Sequence, residues 1–260
     1  MGYETIILER RDGVGTLTLN RPEKLNALNR KMTEELNSAI DEIAKDAGVR
    51  VLVVTGAGRG FCSGADVGDM AQAASPIENR YWTQMAHKII LGLTDLEKPV
   101  IAKVNGVAVG IGCSLALSAD IIIASENAKF SLIFSRIGLI PDGGSLFHLP
   151  RLVGPAKAKE LIFTAKMIEA KEAERIGLIN KAVPADELDN EVDVLAKQLA
   201  EGPTAAFGMA KKIINKGLSM DLSSVLEYEA FGQALAGTTQ DAQEGVMAFL
   251  EKRKAEFKGK

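Results

Sequence analysis

The segment from Gly106 to Ser145 restricts the fold more than any other part of the chain. It reads Gly-Val-Ala-Val-Gly-Ile-Gly-Cys-Ser-Leu-Ala-Leu at its start, and its end runs through Phe130 to Pro141-Asp142-Gly143-Gly144-Ser145. A glycine-rich turn directly before the proline-free apolar run Cys113 to Leu117 predicts that the turn opens a short buried helix. The first N–H groups of such a helix have no partner within it and point, with a partial positive charge, at whatever oxygen lies over them. Asp142 then stands as a lone carboxylate among Ile140, Pro141, Leu146 and Phe147. Amide donors facing an oxygen, together with one base in apolar surroundings, suit chemistry that passes through an enolate.

Around this segment, short strands and helices alternate. Thr5 to Arg10 and Val14 to Asn20 alternate in polarity across a turn at Gly13, as a β-hairpin does. From Asn29 to Ala47 apolar residues recur with helical period at Met32, Leu36, Ile40, Ile43 and Ala44. The unbroken run Val51 to Val54 predicts a buried parallel strand. The glycine-rich stretch after it, Thr55 to Asp66, is not a dinucleotide fingerprint, because the third glycine of G-x-G-x-x-G falls on Phe61. It predicts a tight loop that brings backbone close to a ligand. Ala71 to Pro76 reads as a mobile segment, followed by a helix to Leu96 with Trp82, Met85, Ile89 and Ile90 on one face. Pro99 to Val104 and Asp120 to Ala124 predict further buried strands, and strand, turn, helix and strand in short succession argue for an α/β layered fold. Leu146 to Leu152, Gly154 to Ala165 and Glu169 to Ile176 read as helices, and Leu178 to Val183 as a last strand. Residues 1–185 are expected to form the core domain. Residues 186–260 read as helical, broken at Gly202-Pro203, Gly217 and Gly237-Thr238-Thr239.

Composition closes off several classes. A net charge of −3 argues against a nucleic-acid partner, and the basic cluster Lys252, Arg253, Lys254, Lys258 and Lys260 fits a solvated helix face. No apolar run approaches the roughly 20 residues that span a bilayer, and Met1-Gly2-Tyr3-Glu4 does not begin a signal peptide, so no membrane association and a cytoplasmic location are expected. Two cysteines, Cys62 and Cys113, and two histidines, His87 and His148, offer no metal-ligand spacing, and no metal is expected. Neither cysteine, nor Ser63 or Ser114, lies in a G-x-S-x-G elbow, so none reads as a nucleophile.

Four motifs carry a resemblance. Asn20-Arg21-Pro22-Glu23-Lys24-Leu25-Asn26-Ala27-Leu28, Gly60 to Asp66, Asn105 to Gly112 and Ile140 to Gly144 stand in the order and spacing of the crotonase superfamily, the enoyl-CoA hydratases and isomerases. The run Leu139 to Leu146 with Leu149 to Gly154 most resembles the phenylacetate-pathway ring-epoxide (oxepin) isomerases. The resemblance implies a crotonase-type spiral of ββα units with a helical C-terminal trimerisation segment, a homotrimer or dimer of trimers, and an acyl-CoA thioester as substrate. It calls for no cofactor, since coenzyme A belongs to the substrate. Residue by residue, it places oxyanion-hole amides on Ser63 and Ile111, a catalytic base on Asp142, and substrate contacts on Lys24, Leu25, Ala65, Asp66, Gly110, Ser114, Phe134 and Trp82.

Where the family's hydratases carry two glutamates, this chain has Ser114 and Phe134. Neither exchanges a proton at neutral pH, whereas one base suffices for a 1,3-proton shift, so the expected activity is double-bond isomerisation. A hydratase acting on a cyclic or dienoyl thioester, with Asp142 working alone, and a noncatalytic acyl-CoA-binding protein are the alternatives. Asp142 reads equally well as the N-cap of a following helix. Trp82, Met85, Phe134 and Phe147 read either as acyl-pocket lining or as core, and Lys24, Lys254 and Lys258 either as partners of coenzyme A phosphates or as solvated surface. A dehalogenase-like histidine would fall on Thr83; His87, one helical turn on, reads as packing.

Overall fold

The computed structural model describes residues 2–70 and 75–260. Most of the stretch read as mobile, residues 71–74, lies outside the described residues. The strands are β1 (Ile6–Arg11), β2 (Val14–Leu19), β3 (Val51–Gly56), β4 (Gly60–Cys62), β5 (Val100–Val104), β6 (Val107–Val109), β7 (Ile121–Ser125), β8 (Lys129–Ser131), β9 (Ile168–Glu169) and β10 (Lys181–Val183). The helices are α1 (Arg30–Lys45), α2 (Val67–Met70), α3 (Pro76–Asp95), α4 (Ile111–Leu117), α5 (Ser145–Thr164), α6 (Ala170–Arg175), α7 (Leu188–Ala200), α8 (Thr204–Gly217), α9 (Leu222–Ala236) and α10 (Gln240–Glu251).

One sheet runs β1-β2-β3-β5-β7-β10 and a second runs β4-β6-β8-β9. After the β1–β2 hairpin, the pairs β3–β4, β5–β6 and β7–β8 each place a long strand in the first sheet and a short one in the second before the chain turns helical. Period-two alternation on the long strands explains why they read as continuous apolar runs, since both faces are covered. Leu52, Val54, Val100, Ala102, Val104, Ile122 and Ala124 face the main core with α1 and α3. Val51, Val53, Ile101 and Ile123 face Leu188, Val192, Ala196 and Ala200 of α7. Helix α7, although it follows residue 185, is therefore a layer of the core.

The short strands β4, β6, β8 and β9 were not legible in the sequence. They span two or three residues each, too few to display alternation, and β4 and β6 lie inside stretches that read as glycine-rich turns. The parallel pairing of β4, β6 and β8, Cys62 against Ala108 and Val109 against Ser131, brings the ends of β4 and β6 side by side, and β9 joins β8 antiparallel.

Helix starts follow local chemistry. Asn29 Oδ1 accepts the Met32 N–H at 2.8 Å to open α1, and Ser75 Oγ accepts the Glu78 N–H at 3.2 Å to open α3. The α5 segment is two helices joined at Gly154, where φ is 76° and ψ 158°, matching the two runs read on either side of it. Helix α8 docks through Lys211, whose Nζ donates to the carbonyls of Leu93 and Lys98 and pairs with Asp120 at 2.8 Å. Its ammonium thus caps the end of α3. No described helix is long and apolar enough to cross a membrane.

Candidate active site

Where β4 ends, the chain passes through Ser63 and Gly64 to Ala65. The Leu28 N–H donates to the Gly64 carbonyl at 2.8 Å, and the Asp66 N–H donates to the Leu28 carbonyl at 2.9 Å. That parallel bridge turns the Ala65 amide away from Leu28. Ser63 lies on the other side of the turn, and its N–H donates to the Leu25 carbonyl at 3.0 Å. Gly64 makes the reversal possible: its φ of 112° lies where a side chain is strained. The Ala65 amide has no hydrogen-bond partner among the described residues, whereas the Ser63 amide is already engaged.

Where β6 ends, Gly110 turns the chain and α4 begins at Ile111, two residues earlier than the apolar run alone indicates. The Gly110 N–H donates to the Ser131 carbonyl at 2.8 Å, and Ser114 is the first residue to donate back, to the Gly110 carbonyl at 3.1 Å. The Ile111 amide is left without a partner among the described residues, as the first amides of a helix are. The two turns touch: a carbon added at Gly110 would sit 3.8 Å from the Gly64 Cα.

Asp142 comes to the same place from the loop before α5. It lines, together with Ala65, Ile111, Leu28, Thr83 and Trp82, a cavity of about 130 Å³. Its Oδ1 is buried with no partner, and its carboxylate caps no helix, since α5 is capped by Gly144 without a side-chain bond. Burial raises the Asp142 pKa above the ordinary aspartate value, with the nearby His87 imidazole pulling the other way. The cavity's other carboxylates are engaged. Asp66 pairs with Arg21 at 2.9 Å, which, with the Gly68 N–H, lowers its pKa against the opposing effect of burial, and Asp69 accepts the Arg30 N–H at 2.8 Å. Trp82 forms one wall, with the Arg30 guanidinium 4.8 Å from its ring centroid.

The remaining candidates separate. Ser114 is fully buried and does not line the cavity; its hydroxyl donates to the Asp142 carbonyl at 2.8 Å. Phe134 packs on the core, its ring tip 3.9 Å from where a Gly110 side-chain carbon would stand, and does not line the cavity. Leu25 lies over Gly60 and Lys24 is exposed, its carbonyl accepting the Ser63 hydroxyl at 3.2 Å. Lys254 pairs with Glu201 at 3.1 Å, and Phe147 lies under the Arg151 guanidinium, away from Asp142. Reading the sequence missed His87, whose Nε2 accepts the Gly143 N–H at 3.4 Å. The signal was there, because His87 follows the cavity residue Thr83 by four positions on α3 and so shares its helical face.

Residues 9–260 match the family model described as enoyl-CoA hydratase/isomerase. The chain belongs to this family. Among its relatives, it is 42% identical over 258 residues to a crotonyl-CoA hydratase of Syntrophomonas wolfei, with 99% of each chain covered. It is 40% identical over 260 residues to a 1,2-epoxyphenylacetyl-CoA isomerase of Escherichia coli, again with 99% of each covered. Its fold superposes on a crystal structure of an enoyl-CoA hydratase from Bacillus anthracis with a TM-score of 0.95 at 34% identity, over 99% of this chain and all of that one, at 100%. The expected crotonase-type architecture is thus present, and this enoyl-CoA hydratase/isomerase family member is an enzyme of a group that includes both hydratases and isomerases.

Proposed function

We propose that the protein is an acyl-CoA double-bond isomerase. The observation that carries this reading is the unpaired, desolvated Asp142 carboxylate, which shares a cavity with two unpartnered main-chain amides while the neighbouring carboxylates are tied up. The thioester carbonyl accepts from the Ala65 and Ile111 N–H groups. Ala65 takes the role that the sequence motif pointed to at Ser63, because the Ser63 amide is spent on Leu25. Asp142 removes a proton from the carbon next to the carbonyl, and the electron pair moves onto the thioester oxygen, where the amides stabilise it. Asp142 then returns the proton two carbons further along, and the double bond shifts from the 3,4 to the 2,3 position. Burial of the carboxylate raises its basicity toward the working range. The substrate brings coenzyme A with it, and no further cofactor is called for.

Hydration is the second reading, favoured by the names of relatives such as the crotonyl-CoA hydratase. Ultraviolet absorbance on 3-enoyl-CoA and on crotonyl-CoA separates the two. Isomerisation of the first at a rate well above hydration of the second supports the proposal; rapid hydration of crotonyl-CoA overturns it in favour of a hydratase, and binding of both without turnover points to a noncatalytic protein. Asp142→Asn is expected to lower kcat by at least 100-fold, within the range that general acid–base catalysis supplies.

We also propose a homotrimer or dimer of trimers, built through the last three helices. Leu222, Leu226, Phe231 and Leu235 of α9 and Phe249 and Leu250 of α10 are all more than half exposed, an apolar surface that a lone chain rarely carries.

A further inference from the structure

We propose that Ser114 and His87 are positioning residues that together clamp the peptide unit between Asp142 and Gly143 and thereby aim the Asp142 side chain. The inference rests on Asp142 being the proton-transfer group. At one end of this peptide, the Asp142 carbonyl accepts the Ser114 hydroxyl at 2.8 Å, the Ser145 hydroxyl at 2.9 Å and the Ser145 N–H at 3.2 Å. At the other end, the Gly143 N–H donates to His87 Nε2 at 3.4 Å. The same plane is thus held from α4 through Ser114, from α5 through Ser145 and from α3 through His87. A peptide plane held at both ends leaves the Asp142 Cα little freedom to rotate, and the direction of its Cα–Cβ bond follows.

Such a clamp answers a need that the carboxylate creates. Asp142 Oδ1 is buried without a partner, so no hydrogen bond to the carboxylate fixes its direction. A bond to the carboxylate would also lower its basicity, the property the proposed reaction uses. Orientation through the backbone avoids that cost. Packing acts with the bonds, since Gly143 lies so close to α4 that an added side-chain carbon would sit 2.2 Å from Ile111 Cδ1 and 2.8 Å from Ser114 Cβ. The base and the Ile111 amide are therefore built on one rigid contact, as a site that must hold its geometry within about half an ångström requires.

The test measures kcat and KM on 3-enoyl-CoA, the Kd of unreactive butyryl-CoA, and Tm for the wild type and for His87→Ala, His87→Gln, Ser114→Ala, the double alanine variant and Asp142→Asn. The clamp predicts that each single alanine lowers kcat by at least 10-fold while the butyryl-CoA Kd stays within 2-fold. His87→Gln, whose amide oxygen still accepts the Gly143 N–H, is expected to recover kcat to within about 3-fold of wild type. Because both side chains hold one peptide, the double variant should lose less than the product of the single losses. Wild-type kcat in His87→Ala, or a His87→Gln as impaired as His87→Ala, overturns the clamp. If Asp142→Asn is inactive and His87→Ala keeps wild-type kcat, the clamp alone fails; if Asp142→Asn is fully active, the reading of Asp142 fails and the clamp with it.

Discussion

Asp142 pays for its reactivity in stability. Burial makes the carboxyl hold its proton more tightly in the folded chain than in the unfolded one. Between the ordinary aspartate value of 3.8 and the raised folded value, the native state binds more protons than the unfolded state, so stability falls as pH rises through that window. Asp142→Asn removes the uncompensated charge at similar volume. Thermal unfolding is therefore expected to show a higher Tm for the variant than for the wild type at neutral pH, with the gap closing as pH falls toward 3.8. A variant less stable than wild type at neutral pH would mean that the carboxylate is paired in solution. If Asp142 is the proposed base, the acidic limb of the kcat profile is expected above the ordinary aspartate range. The sequence named this residue, because a carboxylate among apolar neighbours is visible as such, but it could not tell a free carboxylate from a helix cap. That distinction depended on where the carboxylate points.

At the scale of elements, the site is a meeting of turns, and each turn is held by buried polar groups. Asn26, fully buried with φ 58°, donates from Nδ2 to the carbonyls of Ala57 at 2.9 Å and Gly60 at 2.8 Å, while its Oδ1 accepts the Arg21 N–H at 2.9 Å. Asn26→Ala removes three hydrogen bonds to backbone groups, of which the Gly60 carbonyl keeps a second donor in Asn105, and puts alanine at positive φ, so urea unfolding is expected to show a loss of about 3 kcal/mol. An unchanged midpoint would show that water replaces these bonds at no cost. Gly143→Ala drives a methyl group into Ile111 and Ser114 at the α4–α5 contact. It is expected to destabilise the fold by about 1–3 kcal/mol, as overpacking does, and to lower kcat by more than 10-fold at temperatures where the fold is intact. The helices and long strands around these turns were legible because they show either a helical or alternating period, as α1 and the β1–β2 hairpin do, or an unbroken apolar run, as β3 does. The second sheet was not, since its strands are shorter than the pattern that would reveal them.

For the whole molecule, the boundary that matters is between what the spiral buries and what it leaves open. Helix α7 closes the outer face of the first sheet, and Lys211 of α8 ties the next helix to the end of α3. Helices α9 and α10 instead present their apolar residues outward, with Phe231 68% exposed and Phe249 83% exposed. If these faces meet in an oligomer, Phe231→Glu, at a side chain 68% exposed in the single chain, should shift the protein from trimer or hexamer to monomer by light scattering while its far-ultraviolet circular dichroism stays unchanged. A variant that remains assembled would move the interface elsewhere.

The sequence by itself determined the layered architecture, the glycine turns and the presence of one carboxylate among apolar neighbours, because periodicity, turn chemistry and isolation along the chain are properties of neighbours in sequence. The tertiary structure alone decided which amide in the first turn is free, that the Ser114 hydroxyl meets the Asp142 carbonyl, and that His87 meets the Gly143 N–H. Those outcomes depend on the direction in which an N–H or a hydroxyl points, and direction is set by contacts between segments that lie far apart in the sequence.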